Sequence, residues 1–133
     1  MDQQALITLL RRTFKGGLRR VPKKQKEAQA LLALSLIGLD PEGIFDELEI
    51  DNHIQAWIAA LSPHDFQIDH VTWRRALVDY GFLRRATDGA IYRIRGETIA
   101  ASLSAEAQQV DPTTVFTEVE NTRNHRREQA AKT

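Results

Sequence analysis

The stretch HVTWRRALVDYGFLRRATDGAIYRI, from His70 to Ile94, limits what this chain can fold into more than any other. It begins with apolar residues at helical spacing: Trp73, Ala76, Leu77 and Tyr80 share one face, and Val71 and Val78 lie nearly opposite. Gly81 then acts as a stop, because glycine accepts the left-handed backbone with which helices end. The residues after it alternate around Asp88-Gly89, a pair that favours a two-residue hairpin turn. In that register Thr87 faces Ala90, Arg85 faces Tyr92, Arg84 faces Arg93 and Leu83 faces Ile94. A three-residue loop would shift every pairing. Helix, glycine stop and basic hairpin, in this order, predict the second half of a winged helix.

The rest of the chain supplies the elements that should precede and follow it. Leu6, Leu9, Leu10 and Phe14 predict a helix over Gln3 to Phe14, stopped at Lys15-Gly16-Gly17. The basic connector LRRVPKK contains Pro22, a residue tolerated in the first turn of a helix. A second helix is therefore expected from about Pro22 to Ile37, with Gly38 as its left-handed C-terminal residue. DPEGIF reads as a turn and a short extended piece, a candidate first strand. Asp46 and Glu49 have capping-box spacing. They open a third helix, about Glu47 to Leu61, with Ile50, Ile54, Trp57, Ile58 and Leu61 on one stripe. Ser62-Pro63 leads into the fourth helix, expected to end at Tyr80.

After Arg95, Thr98 to Val110 is expected to be helical, and Asp111-Pro112-Thr113-Thr114 to start another helix with Val115, Phe116 and Val119 as its one apolar turn. Past Val119 there is so little to bury that a solvated helix or a disordered tail is expected. There is no internal repeat. The fold class predicted is mainly α with a small β-hairpin wing, a winged helix-turn-helix. An N-terminal helix precedes it within residues 1–96, and residues 97–133 form a C-terminal extension.

Composition removes several alternatives. At 133 residues the chain has the length of one domain with a real core. Its longest apolar run, Ala28 to Leu39, is interrupted by Gln29, Ser35 and Gly38 and falls short of a membrane span. The start, MDQQALITLL, has an acid and no basic region, so no signal peptide and a cytoplasmic location are expected. Without cysteine there are no disulfides, thiolate metal sites or cysteine nucleophile.

A net charge of zero hides a segregated distribution. Residues 1–26 hold eight Lys/Arg against Asp2 alone, and residues 27–69 hold nine acids with no Lys or Arg. Residues 70–95 hold six arginines against Asp79 and Asp88. Such blocks give either a molecule with a basic and an acidic side or blocks that neutralise each other in the fold.

In a winged helix that binds DNA, the exposed face of the helix before the wing enters the major groove, where arginine can form two hydrogen bonds with a guanine edge. Thr72 and Arg75 are the candidates for base contact and Arg74 for phosphate contact. Against this, Arg75 and Asp79 have ion-pair spacing, and Arg74 could brace an acid on the third helix. The hairpin offers Arg84, Arg85 and Arg93. Like charges directly opposite each other on paired strands repel, and a polyanion beside Arg84 and Arg93 would relieve this, as would nearby acids. The connector offers a second phosphate patch, Arg19, Arg20, Lys23 and Lys24, where cations at a helix start oppose the helix dipole. Its alternative is an ordinary solvated helix start.

Catalytic chemistry finds no support. His64 and His70 with Asp65 and Asp69 lack a recognised metal-ligand spacing. There is no phosphate-binding loop of P-loop type and no nucleophile elbow. No enzyme activity, cofactor, metal or small-molecule ligand is expected.

Two runs, LRRVPKKQKEAQALLALSL and DHVTWRRALVDYGFLRRATDGAIYRI, resemble the bacterial family DUF2087. The resemblance rests on Pro22, Lys23, Lys24, Arg74, Arg75, Leu77, Val78, Asp79, Tyr80, Gly81, Asp88, Gly89 and Tyr92, and covers about residues 17 to 95. It implies a winged-helix-like fold and a setting in transcriptional regulation, and transfers no binding residue. DPEGIFDELE, between Leu39 and Glu49, departs from the family pattern, and the chain after Gly96 lies outside it. Two functions are therefore expected in competition. One is nucleic-acid binding, with DNA as partner, in bacterial transcriptional regulation. The other is protein association through the acidic block from Asp40 to Asp51 or the C-terminal helix. A homodimer through the first or last helix suits either.

Overall fold

Asp2 opens the first helix, α1 (Gln3–Gly16), by accepting a hydrogen bond from the Ala5 amide at 2.8 Å. Leu6, Leu9, Leu10 and Phe14 are buried along one face, as their spacing predicts. The structure, a computed structural model, describes residues 1–61, 67–88 and 90–132. Ser62, Pro63, His64, Asp65 and Gly89 lie outside the described residues, and with them the expected Ser62-Pro63 opening and half of the His64/His70 grouping.

The second helix, α2 (Gln25–Ser35), is shorter than expected at both ends. Pro22 does not enter its first turn. Leu18 is buried, and Pro22 lines a cleft with Leu9, Thr13 and Gly16, so the connector is held against α1 instead. Lys24 caps α2 in extended geometry without a side-chain hydrogen bond. Gly38 has the expected positive φ, 104°, but stands three residues beyond the helix.

A short strand, β1 (Ile44–Phe45), follows, and then α3 (Glu47–Leu61), with the bounds expected. Its capping box is reciprocal: the Glu49 amide donates to Asp46 at 2.8 Å, and the Asp46 amide donates to Glu49 at 3.2 Å. Ile50, Ile54 and Leu61 are buried, and Trp57 and Ile58 half-buried.

The fourth helix, α4 (His70–Asp79), leads into β2 (Leu83–Arg85) and β3 (Tyr92–Ile94). The three strands form an antiparallel sheet in the order β1-β3-β2. The hairpin register is Leu83 with Ile94, Arg84 with Arg93 and Arg85 with Tyr92, the one expected from a two-residue turn. On the other edge Ile44 pairs with Arg93 and Phe45 with Tyr92. Helix, strand, two helices and a hairpin whose second strand pairs with the first strand make residues 25–94 a winged helix.

Beyond the wing come α5 (Gly96–Ser102), a 3-10 turn (Ala107–Gln109) and α6 (Pro112–Ala131). The expected single helix over Thr98 to Val110 is broken because the chain start takes its hydrogen bonds. The Met1 ammonium donates to the Ser102 carbonyl at 2.8 Å, and the Ser104 amide donates to the Met1 carbonyl at 2.9 Å. Leu103, extended between them, is buried. The tail is helical to Ala131, with Asp111 as its cap and Pro112 in the first turn. Ile99, Leu103, Ala107, Val115 and Val119 join the same core as α1, α2, α3 and α4.

Two contacts centre that core on α4. The rings of Trp57 and Trp73 stack with centroids 5.4 Å apart. The Trp73 indole also donates to the Ser35 hydroxyl at 3.0 Å, and that hydroxyl donates to the Leu32 carbonyl at 2.6 Å. A buried indole N–H needs such an acceptor, and Ser35 supplies it from α2.

Candidate nucleic-acid interface

Local chemistry sets both ends of α4. Asp69 accepts from the Thr72 amide and the Thr72 hydroxyl, each at 3.1 Å. The Thr72 amide, with its hydroxyl, the Val71 amide and His70 adding to it, holds the Asp69 carboxyl below the usual carboxylate range against the opposing effect of burial. At the other end the Phe82 amide reaches the Leu77 carbonyl at 2.8 Å, and the Gly81 amide reaches that of Val78 at 3.0 Å. This is the Schellman pattern, which needs a left-handed residue. Gly81 provides it at φ 81°, and Leu77 and Phe82 are buried on either side.

The two arginines of α4 have different fates. Arg74 lies against α3, its side chain 13% exposed, 2.5 Å from Asp51 and 3.0 Å from Glu47. Burial alone would lower its pKa, but the hydrogen bond with Asp51 and the charges of Asp51 and Glu47 outweigh that and raise it. The bracing alternative therefore describes Arg74. His70 borders the same group, 4.0 Å from Asp51. Arg75 is exposed, and among the described residues it has no ion pair within 4 Å, Asp79 included. Thr72 is exposed as well, with its hydroxyl turned to the cap.

Between α4 and the wing lies a hollow of about 430 Å³, lined by Glu47, Arg74, Arg75, Asp79, Arg85 and Tyr92. A second hollow of about 430 Å³, over the hairpin, is lined by Arg84, Arg85, Ile91 and Arg93 among others. Arg85 borders both, so the exposed arginines of α4 and the wing adjoin through it.

The Ala86 amide donates to Ile91 at 2.8 Å, and the Arg95 amide donates to Phe82 at 2.9 Å. The alternation of an antiparallel ladder makes Arg84 and Arg93, midway between, a hydrogen-bonded pair with Cα atoms roughly 5.5 Å apart. Both side chains are exposed, and neither has an ion-pair partner among the described residues. Arg95, just past the hairpin, pairs with Glu97 at 3.1 Å.

Arg19, Arg20, Lys23 and Lys24 are exposed and likewise without ion pairs among the described residues. Their neighbour Arg12 pairs with Glu27. The Gln67 amide donates to the Leu18 carbonyl at 3.0 Å, tying the connector to the segment that enters α4. This link joins the connector to the α4 side of the molecule and has no local signature. The acids that hold Arg74, Glu47 and Asp51, are not named by the sequence: an acid on the third helix is one of two readings open for Arg74, and which acid it is depends on how the two helices cross. Among the described residues no group of three or more His, Asp or Glu side chains is placed to hold a metal ion. Nor is any helix among them long and apolar enough to cross a membrane.

The fold and this arrangement define a winged-helix domain carrying exposed, unpaired arginines on its wing and on the helix before it. The profile of the family DUF2087, described as an uncharacterized protein conserved in bacteria, matches residues 17–94, more than half of the chain. The chain belongs to that family. No curated protein and no solved structure matches it.

Proposed function

We propose that this protein binds duplex DNA through its wing and the exposed side of α4, as a cytoplasmic participant in bacterial transcriptional regulation. The observation that carries this reading is the Arg84–Arg93 pair. Two guanidinium groups on directly opposed residues repel each other, and in this fold no carboxylate among the described residues lies within ion-pairing distance of either. Arg85 and Arg75 continue the row. Phosphates would neutralise it, and phosphate contacts supply most of the affinity in nucleic-acid binding. In this reading Arg75 reaches a base edge, and Arg74 acts by holding α4 in place.

The test is a salt series of binding to random duplex DNA, read by fluorescence anisotropy, for the wild type and an Arg84→Glu/Arg93→Glu variant. Binding should weaken steeply with salt, log K falling linearly with log salt. The variant should keep its fold and lose binding at every salt concentration. No binding by the wild type at low salt, or a variant that binds equally well, would overturn the reading.

One observation favours association with another protein instead. Ile44 and Leu48 are 54% and 66% exposed beside the acids Asp40, Glu42, Asp46 and Glu49. In that case Ile44→Ser/Leu48→Ser would abolish a concentration-dependent assembly, and the wing variant would leave it intact.

A further inference from the structure

The distal half of α6 is a feature that folding alone does not account for. From Asn124 to Lys132 every residue is exposed, so this part of the helix gains nothing from burial. Yet its direction is set. The Arg123 guanidinium donates to the carbonyls of Phe14 and Lys15, at 3.0 and 2.9 Å, where α1 ends. Ser104, ahead of α6, binds the Met1 carbonyl before α1, Glu118 lies 3.6 Å from Arg11, and Arg123 reaches the last turn of α1, so the two helices advance together. Phe116 meets Phe14 edge-on at 5.5 Å between them. The eight helical residues after Arg123, up to Ala131, therefore carry α6 past the end of α1 by about 12 Å at 1.5 Å per residue.

The charges left over collect at that end. Glu27, Glu118 and Glu120 are each occupied by an arginine: Arg12, Arg11 and Arg123 in turn. Arg126 and Arg127 on the overhang, Lys15 at the end of α1, and Arg19 and Arg20 just beyond it are exposed and have no ion pair among the described residues; Glu128 is the one acid on the overhang, so cations outnumber it there. The connector is also tied to the approach to α4 by the Leu18–Gln67 hydrogen bond. It flanks the N-terminal side of α4, while the wing follows the C-terminal side.

We infer that the overhang of α6 and the connector form a second polyanion-binding surface, which holds the phosphate backbone of DNA flanking the stretch engaged by the wing. The inference rests on the DNA-binding reading and extends it. The surface consists of solvated guanidinium and ammonium groups, which bind phosphate without reading sequence. It should therefore add affinity and salt dependence, and no base preference, and only on a duplex long enough to reach it.

The full chain and an Arg126→Glu/Arg127→Glu variant would be titrated with random duplexes of about one and about three helical turns, roughly 10 and 30 base pairs, across a salt series. On the long duplex the variant should bind more weakly, with a slope of log K against log salt shallower by about two, one for each phosphate contact removed. On the short duplex it should match the wild type. An Arg126→Gln/Arg127→Gln variant with unchanged far-ultraviolet circular dichroism should show the same change in slope, separating lost charge from a frayed helix. Equal slopes for variant and wild type on the long duplex would overturn this inference and leave the wing reading standing. A wild type that binds neither duplex would overturn both.

Discussion

Arg74 and Arg84 lie ten positions apart in one basic segment, and the fold treats them in opposite ways. Arg74 is enclosed between α3 and α4, in contact with Asp51 and Glu47. Arg84 stands on the wing opposite another arginine, exposed and without a carboxylate partner among the described residues. A count of cations in sequence thus overstates the charge available to a partner. What is available depends on which acids the tertiary structure places alongside. The acids of residues 40–51 neutralise Arg74 on the inner side of α4. Although β1 of that block pairs with β3, none of them forms an ion pair with Arg84 or Arg93 among the described residues.

The largest effects should come from the packed side of this contrast. Trp73→Ala removes a fully buried ring that stacks on Trp57 and donates to Ser35. It should cost about 3–5 kcal/mol in urea unfolding. A loss below about 0.5 kcal/mol, the range of ordinary surface substitutions, would contradict the packing around α4. Next, Arg74→Ala leaves Asp51 and Glu47 facing each other in a partly buried site. It should cost about 2 kcal/mol, below the figure for a fully enclosed pair, while leaving the salt slope of the proposed DNA binding unchanged. A changed slope with normal stability would reverse the roles assigned to Arg74 and Arg84.

Asp46→Ala deletes the forward half of the α3 capping box and should lower stability by about 1 kcal/mol, measured by thermal unfolding. The caps Asp69 and Asp111 also predict an acid response. The Thr72 amide holds the first carboxyl below its ordinary range, and the Thr113 hydroxyl and amide hold the second. A group whose pKa is lower in the folded state stabilises fully above its unfolded value, about 3.9 for aspartate, and loses that contribution as the pH falls through its folded value. Unfolding followed from pH 6 towards pH 2 should show this loss below about pH 4, and Asp111→Asn should reduce it. The smallest effect should be at the wing: Arg84→Thr removes a like-charge pair and should change stability by less than about 0.5 kcal/mol, towards greater stability. A clear loss would mean that Arg84 has a structural partner.

Much of this was legible in the sequence wherever the causes are local. The bounds of α3 follow from a capping box and an apolar stripe within one helix. The hairpin register follows from a turn pair, and the end of α4 from a glycine where the backbone must turn left-handed. The failures share a different cause. Pro22 has the right chemistry for a first helical turn but is drawn into the cleft along α1. The helix predicted over Thr98 to Val110 breaks where Met1, a hundred residues away, takes the hydrogen bonds around Leu103.

The candidate site divides in the same way. That Arg84 faces Arg93 could be read from residue types and spacing, because strand pairing across a short turn leaves few choices. That Arg74 is spent on Asp51 and Glu47, that Arg75 is free of Asp79, and that α6 is pinned to the end of α1 by Arg123 could not. Those outcomes depend on how helices cross and where long side chains end. The sequence alone determined the order of the elements and the composition of the wing, since neighbours a few residues apart decide both. Only the tertiary structure decided which charges remain unpaired, because charges pair across distances in space that sequence separation does not measure.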